Sequence, residues 1–137
     1  MTEYSFSESY AGEAAQAAQD RRRYRRVRCT MPAELRPSRA GYPIQGETTD
    51  VSLGGCYVAS IFPLPVGTAI EFRCWVDTVL ICCNAIVRTS DPGVGNGIEF
   101  LDLGSHSAEI LQEQLTKADA TRRETEELSG VIRSRLQ

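Results

Sequence analysis

Six of the eight residues from Arg21 to Arg28 are arginine: Arg21, Arg22, Arg23, Arg25, Arg26 and Arg28. Cations packed this densely repel one another, so the run is either a solvated charge cluster or a site built for an anion. Within it, Arg22 and Arg26 form an R-x-x-x-R pair preceded by Arg21. The guanidinium is a planar fork that suits phosphate and guanine edges and stacks on rings. A second set, Asp50, Ser52 and Gly55, makes the spacing D-x-S-x-x-G. Taken alone it reads equally well as turn chemistry, because Asp and Ser bond turn amides and Gly accepts positive φ.

These groups need a scaffold, and the pattern around them supplies one. Val27, Cys29, Met31, Ala33 and Leu35 alternate with Arg28, Thr30, Pro32, Glu34 and Arg36, the period of a half-buried strand. The arginines therefore stand at the doorway of a folded domain. Further strands are expected over about Gln45 to Val51, Cys56 to Ser60, Ile70 to Val76, Val79 to Val87 and Ile98 to Leu101. The residues Ser52-Leu53-Gly54-Gly55 form a tight turn between the second and third. Asp91 to Gly97 reads as a glycine-rich hairpin loop. Six short strands without intervening helices indicate an antiparallel sandwich or barrel, an all-β domain.

The pattern changes after Gly104. Ser105 is the expected N-cap, Glu109 lies in the first turns, and Ile110, Leu111 and Leu115 give a helical stripe that packs on the barrel. Beyond Lys117, the seam Ala118, Arg122, Thr125, Ser129, Ile132 and Leu136 is half polar. A second helix is expected there, without a strong coiled coil, and a homo-oligomer formed through this C-terminal helix is left open. Residues 1–20 read as a flexible N-terminal tail with no apolar stripe, residues 21–117 as the barrel with its packed helix, and residues 118–137 as a helical extension.

Composition narrows the function classes. The hydrophobic fraction of 42% and charged fraction of 24% are ordinary for one soluble domain. The longest apolar run, Val79 to Cys83, is far too short to span a bilayer, and no secretory signal is apparent, so the expected location is the cytoplasm. Five cysteines without a C-x-x-C pair, and a single histidine, His106, give neither zinc nor redox spacing; the thiols are expected to be reduced and buried. Gly93-x-Gly95-x-Gly97 lacks the following helix and lysine of a phosphate loop. Trp75 faces away from the apolar side of its strand, either to pack under the helix or to mark a partner surface. No catalytic constellation is visible, no metal site is expected, and an enzyme is the least supported class.

In this order, flanking the first two strands of an all-β domain, the R-x-x-x-R and D-x-S-x-x-G motifs resemble the PilZ family, receptors for the bacterial messenger cyclic di-GMP. The resemblance runs from about Arg21 to the helix near Lys117 and includes Gly97-Ile98-Glu99-Phe100, similar to the family's last barrel strand. It implies a six-stranded antiparallel barrel with a C-terminal helix and a ligand lying across the barrel's outer surface. The implied ligand-binding residues are Arg21, Arg22, Arg26, Asp50, Ser52 and Gly55. In the family an arginine directly before R-x-x-x-R often accompanies a stacked ligand dimer, so Arg21 implies two ligands per chain.

The residue chemistry suits this ligand. Arginine forks onto guanine O6 and N7, pairs with phosphate or stacks on a base. Asp50 can accept from guanine N1 and N2, Ser52 can bond phosphate or a base edge, and Gly55 permits close backbone approach. The expected function is a cyclic di-GMP receptor or adaptor with no further cofactor, in which ligand orders the arginine segment and the altered surface engages a protein effector. One alternative is a PilZ-fold interaction module that binds no nucleotide. Another is an arginine-arm nucleic-acid binder, which the pI of about 5.2 disfavours.

Overall fold

The computed structural model of the chain describes residues 24–39 and 41–136, with side chains described as far as residue 130. The expected tail and Arg21, Arg22 and Arg23 lie outside the described residues. Among the described residues, seven strands precede one helix: β1 (Val27–Arg28), β2 (Pro32–Pro37), β3 (Ile44–Val51), β4 (Gly55–Ala59), β5 (Ala69–Val76), β6 (Val79–Asp91), β7 (Gly95–Phe100) and α1 (Ser105–Leu136). The pairing order β3-β2-β5-β6-β7-β4 closes through β3–β4, and every pairing is antiparallel. Six strands therefore form a closed barrel, and closure removes the exposed edges that an open sheet would carry. The two-residue β1 continues β2 along the same side of β3.

The expected first strand is thus interrupted, although its alternation survives. Val27, Cys29, Met31, Ala33 and Leu35 are all buried. Three residues lie between Arg28 and Pro32, but two lie between their partners Asp50 and Glu47, so the first strand holds one extra residue. The buried Thr48 hydroxyl takes up the slack. It accepts from Met31 N at 2.9 Å and donates to the Cys29 carbonyl at 2.7 Å. The irregular backbone is thereby satisfied internally.

The barrel interior is filled by alternate residues of the strands. On β5, Ile70, Phe72, Cys74 and Val76 point in; on β6, Ile81, Cys83, Ala85 and Val87 do. The Phe72 and Phe100 rings meet at 5.1 Å in a tilted pair. Four cysteines are buried, as expected, but Cys82 is exposed, because it occupies an outward position between Ile81 and Cys83. Trp75 is half-buried on the outward side of β5, opposite Leu80.

The glycine-rich loop is shorter than expected. β7 begins at Gly95 and all six of its residues are buried, so it shows no alternation. Asn96 lies fully buried and works as a clamp. Its Oδ1 accepts from Leu64 N at 2.9 Å, and its Nδ2 donates to the carbonyls of Leu64 and Thr89. Gly97 sits under Thr89, whose Oγ1 accepts the Gly97 amide at 2.9 Å.

Two helix expectations are corrected. Ala108 N donates to Gly104 O at 2.8 Å, so Gly104 occupies the N-cap position and Ser105 begins the helix. The second helix expected beyond Lys117 is not separate either, because α1 runs unbroken for 32 residues. Leu111 and Leu115 are buried against the barrel, with Ile110 and Ala118 packed at the margin. From residue 121 to 130 every residue is exposed, so this stretch of α1 buries no side chain in the barrel core.

Candidate ligand-binding site

Asp50 reaches the outer surface through a bulge. Along β3, Thr48 is buried and so is Val51, three residues on, which a regular strand of period two would not allow. The register against β4 slips between Thr48 and Asp50, where two steps on β3 match one on β4. A single inserted residue reverses which side chains face the core. Thr49 is that residue; its insertion sends Val51 inward and leaves Asp50 on the outer face.

Arg26 meets it there. Arg26 Nη1 lies 3.2 Å from Asp50 Oδ2, and the adjacent Thr49 hydroxyl donates to Oδ1 at 3.2 Å. Arg28 stands opposite Asp50 in the β1–β3 ladder, and Tyr57 stands opposite it in the β3–β4 ladder. The R-x-x-x-R end of one motif and the acid of the other therefore share one surface. Arg26 and Asp50 side chains keep 50% and 34% exposure, so water screens the pair and an incoming anion could compete for the guanidinium.

Ser52 and Gly55 are placed differently. Ser52 is buried, and its Oγ accepts from Gly54 N at 3.1 Å and donates to Gly55 O at 3.3 Å. Its hydroxyl is engaged in holding the turn. At Gly55 a Cβ would lie 2.1 Å from the Ile98 carbonyl oxygen, so glycine is required by the close approach of β4 to β7. Both residues thus shape the loop that follows Asp50. Arg21 and Arg22 lie outside the described residues.

An open groove of about 600 Å³ surrounds Asp50. Its walls include Arg26, Arg28, Thr30 and Thr49 from the strand side and Arg122 from α1. Cys29 lies at its floor, where burial pushes the thiol up and Gln114 beside it opposes the shift. The Tyr57 hydroxyl donates to Asp91 Oδ2 at 2.7 Å. Burial first, then that hydrogen bond and the Asp91 and Asp50 charges, push Tyr57 up to about 12, so it stays neutral and offers an aromatic face beside the acid. Arg28 belonged to the conspicuous arginine run, whereas Tyr57 and Arg122 carried no motif. Only strand pairing and helix docking bring those two to Asp50.

Arg25 faces the other way, toward α1. Its guanidinium bonds Asp119 at 2.7 and 3.1 Å, and Arg123 reaches the same carboxylate at 3.4 Å. The arginine segment is thereby anchored to the helix on one side and to Asp50 on the other.

No curated protein matches the chain significantly. Among solved structures, the PilZ domain of YcgR from Escherichia coli, with c-di-GMP, superposes with a TM-score of 0.64 at 16% identity, covering 78% of this chain and 98% of that one. The PilZ domain of CeSA from a cellulose-synthesizing bacterium gives 0.55 at 22% identity, covering 68% and 96%. The Bacillus subtilis inhibitor of motility MotI/DgrA gives 0.57 at 18% identity, covering 75% of this chain and 51% of that one. At these identities the likeness speaks for the fold. The sequence model of the PilZ domain matches residues 20–117, most of the chain and the whole barrel, and on that match the chain belongs to the PilZ domain family.

Proposed function

We propose that the chain is a receptor for cyclic di-GMP that acts without catalysis, by presenting a ligand-altered surface to a protein effector. The observation that carries this reading is the Arg26–Asp50 pair at 3.2 Å, which joins the two family motifs on the outside of the barrel. A guanine presents O6 and N7 acceptors to an arginine fork and N1–H and N2–H donors to a carboxylate. Arg26 and Asp50 offer that complementary set side by side. In this reading Arg21 and Arg22 close over the ligand from the preceding segment, with two stacked ligands per chain. The segment from Arg21 to Arg28 is the switch, since ordering a segment is an established way to convert binding into a new surface.

The placement of Ser52 and Gly55 favours a second reading. Their contacts serve the turn and the barrel, and a PilZ-fold interaction module that binds no nucleotide would need them equally. Calorimetric titration with cyclic di-GMP, with GTP and cyclic di-AMP as controls, separates the two. The receptor reading expects binding to cyclic di-GMP in preference to both controls. Absence of binding at millimolar ligand would leave the interaction module, and equal affinity for cyclic di-AMP would remove the guanine-reading role of Asp50.

A further inference from the structure

We propose that Arg122, on α1, is a ligand-contacting residue, so that the helix forms the second wall of the nucleotide groove and takes a phosphate of the ligand. This rests on the reading of the groove as a cyclic di-GMP site. Arg122 lines the same groove as Arg26, Arg28 and Asp50. Three guanidinium groups against one carboxylate leave the groove with a formal charge of +2, in a chain whose net charge is −3. A ligand with two phosphodiesters carries the balancing −2.

The helix is fixed at the height that makes this contact available. Arg123, the next residue, bonds Asp119 at 3.4 Å, and Arg25 bonds the same carboxylate in two-pronged fashion. Successive helical residues are set about 100° apart. Arg25, Asp119 and Arg123 thus share one side of the helix, and Arg122, the neighbouring position, lines the groove with Asp50. Arg122 is already half-exposed, and its partner is Glu126, one turn on, at 3.2 Å. A solvent-exposed i,i+4 pair is among the weakest ion pairs and is easily exchanged. Exchanging it for a phosphate oxygen gives a charge-assisted, two-pronged contact instead. The consequence is functional: a ligand held between β1–β3 and α1 senses both the barrel and the helix.

The experiment is titration of the full chain with cyclic di-GMP, comparing wild type with Arg122→Ala, Arg122→Lys, Lys117→Ala and Arg26→Ala. Lys117 removes the same charge from the same helix; it pairs with Glu113 and does not line the groove. Arg122→Ala should weaken binding roughly tenfold with an unchanged melting temperature, because one charge-assisted contact is lost from an exposed side chain. Arg122→Lys should recover part of the loss, and Lys117→Ala should stay close to wild type. Wild-type affinity in Arg122→Ala, alongside a clear loss in Arg26→Ala, would overturn the helix contact and leave the receptor reading intact. An equal loss in Lys117→Ala would also overturn it, since only net charge would then be sensed. No binding by the wild type would overturn the receptor reading and this inference with it.

Discussion

Arg25 and Asp119, far apart in the chain, form a two-pronged ion pair, Nη1 to Oδ2 at 2.7 Å and Nη2 to Oδ1 at 3.1 Å. The pair ties the arginine segment to the middle of α1, just beyond the last buried turn at Leu115. The acid is mostly covered, with its side chain 15% exposed, while Arg25 is open to solvent. Asp119→Asn keeps the shape and removes the charge that holds both Arg25 and Arg123. It should cost about 1 kcal/mol, the upper end for partly exposed pairs. Urea unfolding measures the loss, and hydrogen exchange should show faster opening over residues 24–28. Unchanged stability and exchange would mean that the helix and segment dock without the pair.

Arg26→Ala should weaken cyclic di-GMP binding by about 1–3 kcal/mol, roughly ten- to a hundredfold, the range of a two-pronged guanine contact. Arg36→Ala is the control, because Arg36 bonds Glu34 at 2.6 Å on β2 and lies outside the groove. Asp50→Ala should also lose affinity, although removing an acid ought to help a purely electrostatic binder. Equal losses at Arg26 and Arg36, or a gain at Asp50, would point to nonspecific anion attraction and favour the nucleic-acid alternative.

Ser52→Ala and Gly55→Ala should act first on stability. The serine change removes a buried hydroxyl from two turn contacts and should cost about 1–3 kcal/mol. At Gly55 the new Cβ would meet backbone, the Ile98 carbonyl, so β4 and β7 must move apart. That substitution should cost more than Ser52→Ala in urea unfolding. A Gly55→Ala protein as stable as wild type would show that the barrel yields there cheaply.

The fold was legible where burial follows a simple period. Alternation marked the inward faces of β5 and β6 and carried through the interrupted start of the barrel. It misplaced the start of β7, expected from Ile98 but beginning at Gly95, because all six residues are covered and Gly95 to Gly97 looks like a loop. What makes that segment a strand is long-range: Asn96 clamps Leu64 and Thr89, and Thr89 covers Gly97. The site was legible as two motifs, not as a place. The bulge at Thr49 that turns Asp50 outward leaves no local signature, because Thr48 and Thr49 are alike in sequence but opposite in burial. The contribution of Arg122 depends on where a helix docks, which a half-polar seam does not disclose.

Stability should fall on the alkaline side. Burial, aided by neighbouring thiols, pushes the Cys74 thiol from its ordinary 9.0 up to about 12. Burial and the Asp102 charge do the same to Cys83, from 9.0 to about 12. Tyr57 moves from 10.0 to about 12. Each group holds its proton more tightly folded than unfolded, so its contribution is complete below the unfolded value and is lost as pH rises through the folded one. The thiol contributions should therefore fade from about pH 9, and the Tyr57 contribution from about pH 10, all being lost by about pH 12. Urea midpoints measured across that window should fall steadily, and Tyr57→Phe should flatten the upper part. A midpoint constant from pH 9 to 11 would rule out the buried thiols as proton-linked groups.

Stoichiometry tests the segment that precedes the described strands. Arg21 adds a cation beside Arg22 and Arg26 in the sequence. Two stacked cyclic di-GMP molecules bring four phosphate charges, twice the formal +2 of the groove walls. An additional arginine can neutralise part of the excess or stack on an exposed guanine face. Two ligands per chain are therefore expected for the wild type, and Arg21→Leu should shift the ratio toward one while affinity stays measurable. Amide protection over Arg21 to Arg28 should rise when ligand is added, beyond the level that the Arg25–Asp119 pair gives the free protein. Calorimetry on both proteins reads the ratio, and hydrogen exchange reads the ordering. A wild-type ratio of one would refute the stacked pair and leave the receptor standing. Unchanged protection at saturating ligand would remove the arginine segment as the switch, and the groove would then have to signal through α1.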